Sequence, residues 1–287
     1  MSDATGSNSG MILAAGDWRL GLDPQRGGMI RTLTRRGADI LRRMPEGADA
    51  PFDSACFPLA PYANRIAHGR FTWDGTSHAL APNAPGQKHP LHGTAWLGEW
   101  SVETQEANSA TLIHHHAAGP DWNWAFTLRQ HFRLTADGLE ARLELTNTDS
   151  AAMPAGLGFH PWFTRDGVTG VAFAAKAVWL ADSDMLPTVR ATADTLGDWS
   201  QGAGLERPDL VDHCYAGWNG QLRIQREDGD VLVEGDDTPF LHFYVPSGQD
   251  FFCAEPQSTM PDAVNREAPA PLAPGETLTV TMRIRSA

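Results

Sequence analysis

The chain has few cysteines, and they are far apart. Its 287 residues include only Cys56, Cys214 and Cys253, with no Cys-x-x-Cys pair. An odd number of distant cysteines favours neither a disulfide framework nor a zinc knuckle. Reduced thiols are typical of a reducing compartment, so we expect a cytoplasmic protein.

Long apolar runs and basic clusters are also missing. No apolar stretch approaches the roughly 20 residues that a membrane-spanning helix needs, and residues 1–10 lack the apolar segment of a signal peptide. We expect a soluble protein with a flexible N-terminal tail over residues 1–10. The formal net charge is −13 at pH 7. Because so acidic a surface repels phosphate backbones and anionic lipids, the sequence predicts no nucleic-acid partner and no membrane partner.

Helical periodicity is scarce, because 20 prolines and 28 glycines interrupt most windows of the chain. Strand patterns dominate instead. Residues 126–134 and 139–147 alternate apolar and polar side chains on either side of Asp137-Gly138. Asp-Gly between two such runs is a strong β-hairpin signal, since both residues tolerate positive φ.

Two further Asp-Gly turns, Asp74-Gly75 and Asp228-Gly229, and an alternating run over 278–285 extend this pattern. The sequence therefore predicts an all-β fold, a large antiparallel β-sandwich, as one domain over residues 11–287. Residues 184–204 are expected to form a polar connection with room for one short helix.

Three distant segments each place a titratable side chain between Gly or Pro residues. They are His89-Pro-Leu-His92-Gly93, Gly158-Phe-His160-Pro161-Trp162 and Cys253-Ala-Glu255-Pro256-Gln257. Gly and Pro restrict or bend the backbone, so His92, His160 and Glu255 are expected in defined orientations at strand ends and turns. Two imidazoles and a carboxylate suit proton transfer at neutral pH. Since no nucleophile motif or nucleotide loop accompanies them, we predict proton transfer on a small substrate without a cofactor.

Metal binding is the competing interpretation of the histidines, because imidazole is the commonest metal ligand. His89 and His92 would point to opposite faces of a strand, so a shared metal needs a turn, which Pro90 makes conceivable. The run of three histidines, residues 114–116, lies in a predicted strand with a solvent face. Exposed or hydrogen-bonding histidine is the default for both patterns, and we predict no metal site.

Polar groups and tryptophans lie near the three segments in sequence. Asn64 and Arg65 adjoin in a turn-like stretch, and Asp212 lies in a second polar loop. The nearby tryptophans are Trp73, Trp96, Trp100 and Trp162. A sugar site needs this mixture, with flat aromatic faces for C–H surfaces and polar side chains for hydroxyls.

Taken together, these segments resemble the aldose 1-epimerases, or galactose mutarotases, from about Ile12 to Ile284. The similar motifs occur in the expected order: Phe57–Ile66, Gly69-x-Phe71, His89–Gly93, Gly158–Phe163, Asp212-His213, Cys253–Asn265 and Leu272–Glu276. The resemblance implies a galactose mutarotase-like β-supersandwich. It also implies interconversion of the α and β anomers of a free aldose, with a monosaccharide as the partner and no cofactor.

The resemblance also implies residue roles at the matching positions. Glu255 would be the general base for the anomeric hydroxyl, His160 the general acid for the ring oxygen, and His92 a hydrogen-bonding group near that oxygen. The substrate-binding candidates are Asn64, Arg65, Asp212, His89, Trp162 and Gln257. Better-known members have Glu-Thr-Gln where this chain has Glu-Pro-Gln, and a Gln-Pro-Gly segment where it has 245–249. A substrate-binding glutamine of the family therefore has no secure counterpart, and galactose preference does not carry over.

The chemistry sets further expectations for the two main groups. Ring opening removes a proton from O1 and adds one to the ring oxygen, which a base and an acid on opposite sides of the sugar would accomplish. Glu255 should be ionised, with its basicity raised by partial burial. His160 should be protonated, because a nearby carboxylate raises the pKa of an imidazole.

Three alternatives remain open on the sequence alone. A non-catalytic carbohydrate-binding protein would keep the scaffold without needing the acid and base. A glycoside hydrolase or lyase would need two carboxylates, for which Asp212 could partner Glu255. A mutarotase of a phosphorylated or sulfonated hexose would hold the anion with Lys88 or Arg65. Either a monomer or a homodimer fits the sequence.

Overall fold

A computed structural model describes residues 10–287, so the predicted tail lies outside the described residues apart from Gly10. In this range the regular structure is 21 strands and four 3-10 helices, with no α-helix. The strands are β1 Met11–Ala15, β2 Trp18–Asp23, β3 Met29–Arg35, β4 Ala38–Asp39, β5 Cys56–Leu59, β6 Arg70–Trp73, β7 Thr76–Ala79, β8 Ser101–Gln105, β9 Ser109–His116, β10 Phe126–Leu134, β11 Gly138–Asn147, β12 Gly158–Thr164, β13 Val168–Phe173, β14 Ala177–Ala181, β15 Pro187–Thr192, β16 Val211–Ala216, β17 Gln221–Arg226, β18 Val231–Asp236, β19 Phe240–Val245, β20 Phe251–Gln257 and β21 Thr277–Ser286. The 3-10 helices are Pro51–Asp53, Ala67–Gly69, Ala95–Leu97 and Ala263–Asn265. The all-β prediction is confirmed.

Two large antiparallel sheets make up the sandwich. The larger has eleven strands in the order β1-β2-β3-β5-β12-β20-β19-β16-β14-β15, with β4 paired to β3. The smaller has eight strands in the order β13-β17-β18-β21-β11-β10-β9-β8, and β6 and β7 form a separate hairpin. No helix in the described range is long and apolar enough to cross a membrane.

All three predicted Asp-Gly turns join paired strands. Asp137-Gly138 connects β10 to β11, which pair from Phe126 with Asn147 to Leu134 with Leu139. Asp74-Gly75 joins β6 to β7, and Asp228-Gly229 joins β17 to β18. Asp74 adopts φ 47°, as expected for a residue in a tight turn.

The expectation for residues 184–204 is wrong in one respect. The segment contains no helix; instead Pro187–Thr192 forms β15 at the edge of the larger sheet, paired with β14. Its burial is low, with three successive exposed residues from Thr188 to Arg190. Because an edge strand buries little apolar surface, its sequence lacks the alternation that identifies the inner strands.

The main core lies between the two sheets. The alternating residues of β11 and β21 that were predicted to form apolar faces are fully buried there, among them Leu143 and Val280. Removing each such side chain from water contributes about 1.5–3 kcal/mol. A second, smaller cluster comprises Met29, Phe57, Leu59, Ala63, Trp96, Trp162 and Cys253. It packs against the part of the larger sheet that carries the predicted catalytic residues.

Candidate active site

Four neighbouring strands of the larger sheet supply one row of polar side chains. In sheet order they carry His160 on β12, Glu255 on β20, His242 on β19 and Asp212 on β16. His242 and Glu255 are direct cross-strand partners. Since side chains of paired residues share a face of the sheet, this register brings the four groups together.

A folded loop from another part of the chain closes one side of the row. Asn64 and His92 both adopt φ near 60°, and the backbone N–H of Asn64 donates to Nδ1 of His92 at 3.2 Å. Because Nδ1 accepts this bond, the ring proton of neutral His92 is on Nε2, and that nitrogen is a donor. Gly93, with φ 73°, continues the turn, and a Cβ there would collide with the carbonyl oxygen of Ala60.

These elements enclose an open cavity of about 300 Å³. Seven of the nine predicted site residues line it, namely Asn64, Arg65, His92, His160, Trp162, Asp212 and Glu255. Small-molecule pockets occupy roughly 300–1,000 Å³, so this volume suits a ligand at the small end of that range.

The carboxylate and the imidazole predicted to act as base and acid are in near contact. Nε2 of His160 lies 3.4 Å from Oε1 of Glu255, and Oε2 of Glu255 accepts from Nε2 of Gln257 at 2.9 Å. The indole of Trp162 stacks on His160, with ring centroids 4.0 Å apart. The expectation of an acid and a base on opposite sides of the ligand is therefore wrong. Both groups lie on adjacent strands of one sheet.

Burial changes the proton affinities of this pair in opposite directions. It raises the pKa of Glu255 to about 7, against the smaller lowering effect of His242. Burial also lowers the pKa of His160 to about 3, helped by the positive charge of His242. This shift runs against the prediction of a protonated His160, because burial outweighs the opposing charge of Asp212. Burial thus favours the neutral form of both groups, which places a proton on Glu255 in preference to His160.

His242 and Asp212 form a second pair in the same cavity. Nε2 of His242 donates to Oδ1 of Asp212 at 2.6 Å, and the other ring nitrogen lies 3.4 Å from Nδ2 of Asn64. Burial opposes charge on His242, but the hydrogen bond to Asp212 and the charge of Glu255 raise its pKa overall. The pKa of Asp212 is lowered even though burial opposes this, chiefly through His242. The structure therefore contains a hydrogen-bonded His–Asp pair beside Glu255, and the hydrogen bond shifts both pKa values toward the charged forms.

Two predicted substrate-binding residues are not part of the cavity lining. Gln257 is fully buried, and its Nε2 donates to the carboxylate of Glu255. His89 is also buried, and its Nδ1 accepts from the backbone N–H of His68. Of the four tryptophans that lie near the motifs in sequence, Trp162 alone lines the cavity. Trp96 instead packs against Phe57 beneath the site.

The same location holds a cluster of metal-ligating residue types. In the described range, one group of three potential ligands converges: His160, Cys253 and Glu255, whose donor atoms lie within 4.8 Å of one another. A thiol must ionise to bind zinc, and burial raises the pKa of Cys253 well above its usual range. The donor set is therefore poorly suited to a metal, and we assign it none. Neither His89 nor the His114–His116 run contributes to this group.

Sequence reasoning missed several residues that line the cavity, chiefly Arg42, His242, Tyr244 and Phe251. A signal for His242 was present. The stretch 246–250, with Pro, Ser and Gly, reads as a turn, and pairing the strands on either side of it sets position 242 opposite 255. Arg42 had no local signal, because only tertiary contacts bring its segment to β12. Two backbone hydrogen bonds make that contact, from N–H of Arg42 to the carbonyl of Trp162 at 2.7 Å and from N–H of Thr164 to the carbonyl of Ile40 at 3.3 Å.

The chain is similar to known proteins along nearly its whole length. The chain is 34% identical over 288 residues to YphB, an uncharacterized protein of Escherichia coli strain K12, covering 95% of this chain and 97% of YphB. It is 28% identical over 276 residues to YihR, an uncharacterized protein of the same strain, covering 90% and 87%.

Solved structures show the same architecture. A crystal structure from Escherichia coli K12 superposes with a TM-score of 0.88 at 33% identity, over 96% of this chain and 98% of the other. A galactose mutarotase-like protein from Clostridium acetobutylicum gives a TM-score of 0.83 over 95% and 93%, at 19% identity, which shows the fold alone. The two stacked sheets thus define a galactose mutarotase-like β-supersandwich. The family model of aldose 1-epimerase matches residues 24–285, and the chain belongs to that family.

Proposed function

We propose that this protein is a mutarotase that interconverts the α and β anomers of a free aldose by general acid–base ring opening and closure. The observation that carries the proposal is the 3.4 Å contact between Glu255 and His160 inside a cavity of about 300 Å³. Residues 11–287 would act as one catalytic domain.

The near contact of the two groups suits the atoms that must react. O1 and the ring oxygen are both bonded to C1, so a proton leaves one oxygen and reaches the other over a short span. In the roles that the family likeness implies, Glu255 takes the O1 proton while His160 protonates the ring oxygen. Rotation about C1–C2 then presents the other aldehyde face, and the reverse transfers close the ring. Each group would contribute on the order of 10²–10⁴ in rate.

A single mobile proton is enough for both directions. The reactive form with the proton on His160 and the resting form with the proton on Glu255 differ by one transfer within the pair. The form with the proton on Glu255 is also the form that ring opening produces. The enzyme would therefore complete its cycle by closing the ring, and no cofactor would be consumed. Nε2 of His92 is a donor and would hydrogen-bond the ring oxygen or a neighbouring hydroxyl.

The lining groups support a monosaccharide as the ligand. Trp162 and Phe251 provide apolar faces, and Asn64, Arg65 and Asp212 provide donors and acceptors. Such a combination binds the C–H surfaces and hydroxyls of a sugar. The volume leaves little room for a second sugar ring, which favours a free aldose over an oligosaccharide.

Polarimetry and NMR exchange on freshly dissolved α-anomers test this function. We expect faster anomer exchange for at least one of glucose, galactose, xylose, arabinose or an acidic hexose, and loss of the acceleration in Glu255→Gln. Binding of these sugars without any acceleration would instead support a non-catalytic carbohydrate-binding protein. Release of reducing ends from oligosaccharides would support a hydrolase.

A further inference from the structure

The polar groups that line the cavity differ in how they are paired. Asp212 and His242 contact each other, and Glu255 lies 3.4 Å from His160 and accepts from Gln257. The guanidinium groups of Arg42 and Arg65 also belong to the lining. They place two cations in the cavity of a chain whose formal net charge is −13.

Neither guanidinium has a carboxylate partner. Within residues 10–287, no Asp or Glu oxygen lies within 4.0 Å of a nitrogen of either arginine. Arg65 makes two long bonds to neutral amides, at 3.4 Å to Asn64 and 3.4 Å to Gln87. Buried or half-buried arginine in proteins is usually paired with an acidic group, so an unpaired one facing a cavity indicates that the partner comes with the ligand.

Arg42 is the better placed of the two for an anion. Its guanidinium lies 4.9 Å from the ring centre of Trp162 and 4.7 Å from that of Phe251. Nη2 donates to the carbonyls of Phe52 and Ser54, at 2.6 and 3.1 Å. These contacts fix the orientation of the side chain, while Nε is buried without a partner and Nη1 has no acceptor in the described part of the chain. The group is thus held in place, with Nη1 as the donor left for a ligand.

The surroundings of Arg42 explain why it would prefer a charged ligand over a hydroxyl. Burial lowers the pKa of Arg42, against the weaker and more distant attraction of Asp53 and Asp250. A desolvated cation gains more from a charge-assisted bond than from a neutral one, because such bonds are roughly twice as strong. The other cation considered from the sequence, Lys88, is unsuitable, since it pairs with Asp184 and does not line the cavity.

We propose that the cavity binds an aldose bearing an anionic substituent, such as a carboxylate, sulfonate or phosphate, with Arg42 as the residue that recognises the anion. This substrate class rests on the proposed mutarotase function. The anion would occupy the end of the cavity beside Arg42, whose guanidinium lies against Trp162 and Phe251. The anomeric centre would lie against Glu255 and His160.

Matched sugars that differ only at C6 test the proposal. Anomer exchange would be measured for glucose and glucuronate, galactose and galacturonate, and glucose 6-phosphate. We expect kcat/KM for at least one anionic sugar to exceed that of its neutral parent by about tenfold or more, as expected for hydrogen bonds to a charged group. Arg42→Gln should reduce this preference by a similar factor. Arg43→Gln should leave it unchanged, because Arg43 is the adjacent exposed residue and pairs with Asp39.

Binding separates this proposal from the catalytic one. Methyl glucuronoside and methyl glucoside cannot open their rings, so calorimetry with them reports recognition alone. Tighter binding of the glucuronoside, lost in Arg42→Gln and kept in Arg43→Gln, would support the anion subsite even if no sugar were isomerised. Equal binding and equal kcat/KM for charged and neutral sugars would overturn the subsite while leaving the mutarotase function intact. An equal loss of kcat/KM for charged and neutral sugars in Arg42→Gln would also overturn the subsite.

Discussion

Replacing Glu255 by Gln should abolish activity and at the same time stabilise the protein. The side chain is 2% exposed, and burial raises its pKa from 4.5 to about 7. Between these values the folded protein binds a proton that the unfolded chain releases. The free energy of unfolding therefore falls as pH rises through this window and levels off above about pH 7.

The size of the effect follows from the pKa shift. Each pKa unit corresponds to about 1.4 kcal/mol, so ionised Glu255 lowers the stability of the folded state by on the order of 3 kcal/mol above about pH 7. Near pH 5 the cost is about 1 kcal/mol or less, because the folded state keeps the proton. Glu255→Gln has nearly the same shape, and its amide oxygen can still accept from Gln257. The variant should therefore gain stability at neutral and alkaline pH.

Urea unfolding of the two proteins at about pH 5 and pH 8 measures this gain. Anomer exchange by NMR measures the loss of activity, which we expect to be on the order of 10²–10⁴-fold. Glu46→Gln, at an exposed position, is the control for a change of formal charge. Parallel stability curves for wild type and Glu255→Gln would show that the carboxyl has no raised pKa. Near-normal exchange in the variant would remove Glu255 from the mechanism.

Three further outcomes follow from the same geometry. First, kcat/KM should fall about tenfold per pH unit above pH 7, because the shared proton is lost as the raised pKa of Glu255 is passed; a rate that rises through pH 7 would contradict this. Second, Asp212→Asn should lower the pKa of His242, seen by NMR titration of the ring, and raise KM by about tenfold or more. Third, Gly93→Ala should unfold at lower urea concentration than wild type, because its Cβ meets the carbonyl of Ala60; unchanged stability would contradict the φ of 73°.

Local sequence signals predicted the strands that face the core and the tight turns between them. Asp137-Gly138 is one case, since the turn residues and the alternation of both strands depend only on neighbours in the chain. The edge strand Pro187–Thr192 was not predicted, because it is mostly exposed and shows no alternation. The order of strands in the larger sheet was also beyond local reasoning. It joins β5, β12 and β20, which are far apart in sequence.

The candidate site was predicted in part, again from signals that are local in the sequence. Glycine and proline mark the segments around His92, His160 and Glu255, and the structure brings all three to one cavity. Arg42 and His242 have ordinary sequence neighbours, and only tertiary contacts place them there. The proton affinities could not be anticipated either. Reference values put the proton of a Glu–His pair on the imidazole, and the degree of burial that reverses this order is a property of the fold.

That reversal bears on how a ligand would activate the pair. In water the imidazole holds the proton, with reference pKa values of about 6.5 for His and 4.3 for Glu. Burial works against this order, since it raises the pKa of Glu255 and lowers that of His160. A bound sugar brings hydroxyl donors to the carboxylate, and hydrogen bonds to the charged form lower the pKa of a carboxyl. Sugar binding would therefore shift the proton toward His160, into the form that begins ring opening.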